Sequence, residues 1–451
     1  VEADLEEVDE AVRAAKRAFR DTTWKNDSAL RVKVLRRMAD LLEKSQEELA
    51  RLESINTGKP LREARIDVDD SVTCLRYYAS LLEKRETWEK EMSDGSTSRI
   101  IDEPIGVCGL IVPWNFPLLL GIWKVAPALA AGNTVVFKPS EWTPLSMLKF
   151  CELLVEAGLP EGVFNLVLGD GRVGGRIVSH PDVDKISFTG GTDTGRQIYE
   201  TCARSLKRVS LELGGKSPLI VFGDADLGMA VDWALFGAFF NQGQVCVASS
   251  RLLVQRPVFP SFVEALKERI EKIRIGDPLD EKTEMGPLIS ETHLKRVLSY
   301  IELGQREGAR LLCGGTRIDR LPGYFLSPTV FVDVHQSMRI VQEEIFGPVV
   351  VVQAFDDEQE AIALANGTPF GLAAGILSND LERARRISRE LQAGTVWING
   401  YHTPYVEAPW GGFKQSGIGR ELGPHGLAQY TEPKHVNERV SLQPCGWYGN
   451  E

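Results

Sequence analysis

Cys246 stands in the run FFNQGQVCVASSR, where the residues just before it are small or neutral polar and none competes as an acid, a base or a metal ligand. Upstream, LELGGK (211–216) presents one carboxylate, Glu212, beside two glycines. One thiol and one carboxylate on glycine-bearing backbone are the raw material for covalent catalysis followed by activation of a water. Each has an inert alternative. Most free cysteines are buried and unreactive, and Glu212 can be a strand-end carboxylate in a salt bridge. Neutral Gln242 and Gln244 around Gly243, with Ala248 beyond, are unusual for a packed core and favour a reactive Cys246.

Three further segments carry chemistry. FTGGTDTG (188–195) follows the strand KISF and opens a helix, with glycines at 190, 191 and 195. Such glycines let backbone approach a ligand, and the helix N-terminus offers unpaired N–H groups to a pyrophosphate. The spacing is not GxGxxG, and a glycine-rich turn also caps ordinary βα units. KPSE (138–141) ends the strand TVVFK, so Lys138 and Glu141 sit where strand ends face the ligand crevice of an open sheet. An acid there takes both hydroxyls of an adenosine ribose and repels a 2′-phosphate; the alternative is a solvated surface ion pair. PWNFP (113–117) flanks Asn115 with prolines, making it either a fixed N–H donor to an oxyanion or a turn residue that satisfies its own backbone. Phe116, Trp123, Phe240 and Trp410 are core residues or, if they meet, an aromatic cage for a quaternary ammonium.

These residues need elements to position them. Residues 6–20 and 27–56 show helical spacing, with Asp27 or Ser28 as cap of the second. From residue 105, short apolar strands (106–112, 134–138, 185–188) alternate with helices around 117–131, 144–157 and 194–205. A second series follows LELGGK, with strands at 218–222, 251–254, 349–355, 373–378 and 394–399. Buried strands alternating with helices predict an α/β protein of two doubly wound domains, hinged near Gly214–Gly215. The stretch near 90–104 and the tail from about 430 read as peripheral.

At 451 residues, with 43% hydrophobic and 25% charged, the chain has the composition of a soluble globular protein of two or three domains. No apolar run suits a membrane span: the longest, 111–131, carries Asn115, Lys124 and three prolines. A net charge of −11 without a basic stripe argues against nucleic acid. Seven scattered cysteines and six dispersed histidines lack metal-site spacing and read as reduced thiols of a cytoplasmic protein with no metal centre. The chain starts at Val1 without Met, so an N-terminal piece is expected to precede it and a targeting signal is left open.

Taken in order, PWNFP, KPSE, FTGGTDTG, LELGGK, FFNQGQVC and EEIFGP (343–348) resemble the aldehyde dehydrogenase superfamily from the first helix to about residue 440. The resemblance implies that family's fold. It implies an NAD-binding Rossmann-like domain (1–85 and 105–214, without the family's first strands), a catalytic domain (215–430) and oligomerisation segments (86–104 and 431–451). It implies that Cys246 attacks the aldehyde to form a thiohemiacetal, with Asn115 and the Cys246 N–H at the oxyanion. Hydride would pass to NAD(P)+, and Glu212 would activate water on the thioester. Lys124 and Glu421 match a proton-relay pair. Glu344 and Phe346 match positions at the nicotinamide ribose and ring, Lys138 and Glu141 those at the adenosine ribose, with Glu141 favouring NAD+. Pro113, Trp114, Gly190, Gly191, Gly195 and Gly214 join them as cofactor-binding residues.

Within the superfamily, EAPWGGFKQSGIGRELG (407–423) and FTGG are most similar to the betaine aldehyde and aminoaldehyde dehydrogenases. Phe116, Trp123, Phe240 and Trp410 fall on that group's box for a trimethylammonium substrate. Phe240 replaces the Trp, and Phe116 the Tyr, of many plant members. The expected activity is oxidation of betaine aldehyde to glycine betaine, with ω-aminoaldehydes or neutral aliphatic and aromatic aldehydes as alternatives. A cysteine hydrolase or acyltransferase without a redox step is the alternative of another class. The family implies a homodimer or homotetramer.

Overall fold

The computed structural model describes residues 2–442, 444, 445 and 447. Residues 443, 446 and 448–451 of the expected tail segment lie outside the described residues. Two parallel-stranded sheets carry the fold, as the alternation of apolar strands and helices predicts. The first has six strands in the order Gly417–Ile418, Arg208–Glu212, Lys185–Thr189, Val107–Ile111, Thr134–Lys138 and Phe164–Leu166. All its pairings are parallel except that of Gly417–Ile418. Strands 107–111, 134–138 and 185–189 are buried along their whole length, the mark of a sheet covered on both faces.

The second sheet has seven strands in the order Arg310–Cys313, Thr329–Val332, Val349–Phe355, Arg251–Gln255, Pro218–Val221, Ala373–Leu377 and Thr395–Ile398. Only Arg310–Cys313 runs antiparallel. A third, antiparallel sheet joins Trp88–Glu91, Thr97–Pro104 and Thr431–Glu438.

After strand Thr395–Ile398 the chain returns to the first sheet. Trp410 and Glu421 exchange backbone hydrogen bonds of 2.7 Å, Gly417 pairs with Glu212, and helix Gly423–Ala428 packs against helix Pro117–Ala131. That return brings Trp410 and Glu421 beside residues nearly 300 positions earlier in the chain.

Helix Pro117–Ala131 is buried at every residue, with Pro117 in its first turn and Gly132 closing it at φ 94°. The helical spacing over 27–56 resolves into two helices, Ser28–Lys44 and Gln46–Thr57. Ser45 leaves helical geometry there, and Glu47 and Glu48 form a new acidic first turn that suits a helix N-terminus. Asp27 caps the first, accepting from Leu30 N at 2.8 Å. Sequence reading passed over helix Leu61–Glu83, which packs against helix Pro117–Ala131.

Candidate active site

Helix Leu227–Phe239 ends in a tight turn, Phe240–Gly243, in which Asn241 (φ 47°), Gln242 (φ 58°) and Gly243 (φ 69°) are all left-handed. Gly243 is required twice over, since a Cβ there would overlap the Gly347 carbonyl. The neutral polar residues read as a bare setting for the thiol are buried clamps. Gln242 Nε2 donates to Pro287 O at 3.0 Å, and Ile289 N donates to Gln244 Oε1 at 3.0 Å. Asn115 lies between strand Val107–Ile111 and helix Pro117–Ala131, and its Nδ2 donates to Gln244 O at 2.9 Å. Asn241 Nδ2 donates in turn to Asn115 O at 3.1 Å. The proposed oxyanion donor and the turn leading to Cys246 are thereby stitched together.

Glu212 closes strand Arg208–Glu212, opposite Thr189 and Gly417. Its Oε2 has no hydrogen-bond partner among the described residues. Burial, reinforced by Glu421 and opposed by Lys124 and Arg420, holds its pKa well above the usual carboxylate range. Lys124 and Glu421 form a fully buried ion pair next to it. Burial also raises the Cys246 thiol, and the nearby Glu344 and Glu212 carboxylates raise it further. In this arrangement Cys246 favours the neutral thiol.

Cys246 lines a cavity of about 290 Å³ together with Phe116, Trp123, Phe240 and Trp410. Phe116 stacks on Phe240 with centroids 6.4 Å apart, and Trp123 meets Trp410 edge-on at 5.3 Å. The fold thus brings four aromatics scattered over nearly 300 positions to one wall. Sequence reading missed Asp67 and Asp70, which reach the same cavity from helix Leu61–Glu83. Their signal was available: DVDD (67–70) lies within apolar residues at helical spacing. Burial first, then Asp67 and Asp69, push Asp70 up to about 6. His402 also lines the cavity, although no histidine is near Cys246 in sequence. Its Nε2 is engaged with Gly237 O at 3.0 Å and burial draws its pKa down to about 4. That leaves the imidazole bound to backbone, not paired with the thiol as a cysteine hydrolase requires.

A second cavity, about 480 Å³, opens at the carboxyl ends of the first sheet's strands. Pro113, Trp114, Lys138, Glu141, Gly190 and Gly191 all line it. Helix Gly171–Ser179 forms the opposite wall, and sequence reading passed over its GRVGG start. Among the described residues, no atom beyond the local backbone and chain neighbours lies within 4 Å of where a Cβ would stand at Gly171, Gly175 or Gly191, so backbone is open to a ligand. Lys138 Nζ donates to Pro139 O at 3.0 Å and lies 3.8 Å from the Glu141 carboxylate, which is 44% exposed. These residues fit a dinucleotide: open glycine backbone, a buried cation and an acid at the rim.

Two glycines lie outside this groove. Gly195 lies within helix Thr192–Ala203, where a Cβ would overlap Leu213, so it serves helix–strand packing. At Gly214 a Cβ would overlap the Glu344 carboxylate, which also accepts from Gly215 N at 3.0 Å. Glu344 itself is pushed up to about 7 by burial. Phe346 is left-handed (φ 63°), its ring 5.3 Å from Trp114 and its carbonyl 2.7 Å from His293 Nε2. Arg296 donates to Glu344 O at 3.1 Å, so helix Glu291–Arg306 holds this arm through two backbone carbonyls.

Residues 1–436 match the aldehyde dehydrogenase family. The chain is 48% identical to a betaine aldehyde dehydrogenase of Bacillus subtilis, covering 100% of this chain and 93% of that protein. It is also 48% identical to the peroxisomal aminoaldehyde dehydrogenase 1 of Pisum sativum, over 99% and 91% respectively. A crystal structure of Staphylococcus aureus betaine aldehyde dehydrogenase in complex with NAD+ superposes with a TM-score of 0.97 at 45% identity, covering 100% of this chain and 90% of that one. With the thiol, the buried carboxylate and the two cavities in these positions, the chain belongs to the aldehyde dehydrogenase family.

Proposed function

We propose that this enzyme oxidises betaine aldehyde to glycine betaine with NAD+ as cofactor. The observation that carries the reading is the cavity in which Cys246 meets four aromatic side chains and two aspartates. Aromatic faces and desolvated carboxylates together suit a quaternary ammonium, which offers no N–H donors and is attracted by charge and ring quadrupoles. Similarity to betaine aldehyde and aminoaldehyde dehydrogenases supports the same substrate class.

In this reading the Cys246 sulfur, once deprotonated, attacks the aldehyde carbon. The Asn115 amide and the Cys246 N–H stabilise the thiohemiacetal oxyanion. NAD+, when bound, supplies the acceptor for the hydride that leaves this carbon. Lys138, Glu141, Gly190 and Gly191 hold its adenosine and pyrophosphate side, and Glu344, Phe346, Trp114 and Pro113 its nicotinamide side. The resulting thioester on Cys246 is hydrolysed by water that Glu212 deprotonates. The buried Lys124–Glu421 pair, electrostatically coupled to Glu212, passes that proton onward. Glu141 takes the ribose hydroxyls and disfavours NADP+.

We assign 1–85 and 105–214 to the cofactor domain and 215–430 to the catalytic domain. The sheet formed by 86–104 and 431–438 is assigned to self-association as a homodimer or homotetramer. Its exposed Trp88 and Ile101 are the supporting feature. Among the described residues no helix is long and apolar enough to cross a membrane, and the unpaired cysteines suit the reducing cytoplasm.

An aldehyde panel with NAD+, followed by NADH absorbance, tests the reading. Cys246→Ala is expected to form no NADH while still binding NAD+; turnover in that variant ends the proposal. Alkylation of Cys246 by iodoacetamide in the cofactor-free enzyme should accelerate steadily from pH 7 to pH 10, because the raised thiol ionises only as the pH climbs. A rate flat over that range contradicts the electrostatic account. Asp70→Asn should lower kcat/KM for betaine aldehyde by about tenfold or more, with a neutral aldehyde of similar size changed by about twofold or less. Equal losses for both substrates would remove Asp70 from cation recognition and favour a general aldehyde dehydrogenase.

A further inference from the structure

The turn before Cys246 is held by a residue with no place in the chemistry above. Glu63, in the first turn of helix Leu61–Glu83, is 4% exposed, and its Oε2 accepts from Asn241 N at 2.9 Å across 178 positions of chain. Asn241 is where the backbone leaves helix Leu227–Phe239 and turns left-handed (φ 47°, ψ 42°), so its N–H has no helical carbonyl to bond. Gln242 follows at φ 58° and ψ 26°. Two consecutive L-residues in this region are unfavourable by on the order of 1 kcal/mol each and persist only where surroundings hold them.

We propose that Glu63 is a positioning residue for the oxyanion site, its carboxyl group fixing the left-handed turn that sets Asn115 against Cys246. Asn241 is the hinge of this arrangement. Its N–H goes to Glu63, its side-chain amide to Asn115 O, and its carbonyl accepts from Gln244 N at 2.9 Å. Gln244 O then receives the Asn115 amide, two residues before Cys246. Removing the Glu63 acceptor leaves a buried N–H unpaired and frees the turn to relax towards ordinary geometry. Asn115 would move with it.

The Lys59 charge acts on Glu63. Lys59 pairs with Asp67 in the interior, and its ammonium lies 3.9 Å from the centre of the Phe116 ring, next to Asn115. The helix that presents Asp67 and Asp70 to the substrate cavity is therefore the one that fixes the nucleophile turn. Burial pushes Glu63 up to about 8, so the neutral acid that a glutamine imitates is populated near neutral pH.

The inference rests on the oxidation mechanism proposed above, and the test separates the two. Rapid-mixing measurement of the first NADH turnover, with NAD+ affinity measured independently, is made on the native enzyme and on Glu63→Gln, Glu63→Asp and Glu63→Ala. A native enzyme that forms no NADH with any aldehyde overturns the reaction itself. Given a native first turnover, Glu63→Gln, which keeps both reach and acceptor, should stay within about twofold. Glu63→Asp, which keeps the carboxyl group but is one methylene short, and Glu63→Ala should slow by about ten- to a hundredfold, the scale of an ångström-sized misplacement. The aldehyde KM and NAD+ affinity should hold in all three. Native first-turnover rates in the Asp and Ala variants, even with a lowered Tm, make Glu63 merely structural and overturn the proposal. A Gln variant as slow as Ala overturns it too. Should Ala fail to fold, the Gln-against-Asp comparison decides alone.

Discussion

Three consecutive left-handed residues, Asn241, Gln242 and Gly243, aim the chain that carries Cys246, and most of the site's architecture can be understood as the means of holding them. Backbone in that region is unfavourable for L-residues, and the compensation is a set of buried side-chain hydrogen bonds from distant segments. Glu63 comes from the helix beside the aromatic cavity, Asn115 from the loop after strand Val107–Ile111, and Pro287 and Ile289 from the loop before helix Glu291–Arg306. Gly243 lets the Gly347 carbonyl, and with it the arm carrying Glu344 and Phe346, close directly against the turn. The aromatic cavity, the proposed oxyanion donor and the proposed cofactor arm therefore meet at one strained stretch of backbone.

The electrostatics have the same character. Glu212, Glu344 and Cys246 sit in poorly solvated surroundings, and the two carboxylates raise the cost of charge on the thiol. The resting site favours neutral acids and a neutral thiol. In the proposed reaction, positive charge brought into the site by a nicotinamide ring or a cationic substrate would lower the cost of ionising the thiol. Asp70 adds negative charge to the wall of the same cavity when ionised, which would draw a cationic aldehyde towards the aromatic wall, whereas Asp67 is already paired with Lys59.

Legibility followed the range of the interactions. Runs such as TVVFK and KISF declare buried parallel strands locally, and both strands stand where the pattern predicts. The groove residues Lys138, Glu141, Gly190 and Gly191 were readable because a strand end and a helix start are neighbours in sequence. Gln242 and Gln244 looked like bare polar neighbours of a thiol because their partners, Pro287 and Ile289, each lie 45 positions away. Gly195 and Gly214 have glycine's usual purpose of close approach, yet what approaches is Leu213 and Glu344, which spacing does not reveal. Asp67 and Asp70 were hidden for another reason: an acidic run on a helix ordinarily faces solvent, and only packing against helix Pro117–Ala131 turns it inward.

The central claim is that Cys246 carries the substrate as an acyl group until Glu212 supplies the water. It is tested most directly by trapping that group. Glu212→Gln is mixed with betaine aldehyde and NAD+, NADH is counted, and the protein is digested for mass spectrometry. The account predicts at most one NADH per site and the added acyl mass on the peptide containing Cys246. Steady multiple turnovers near the native rate, or NADH formed with no mass added at Cys246, would contradict it.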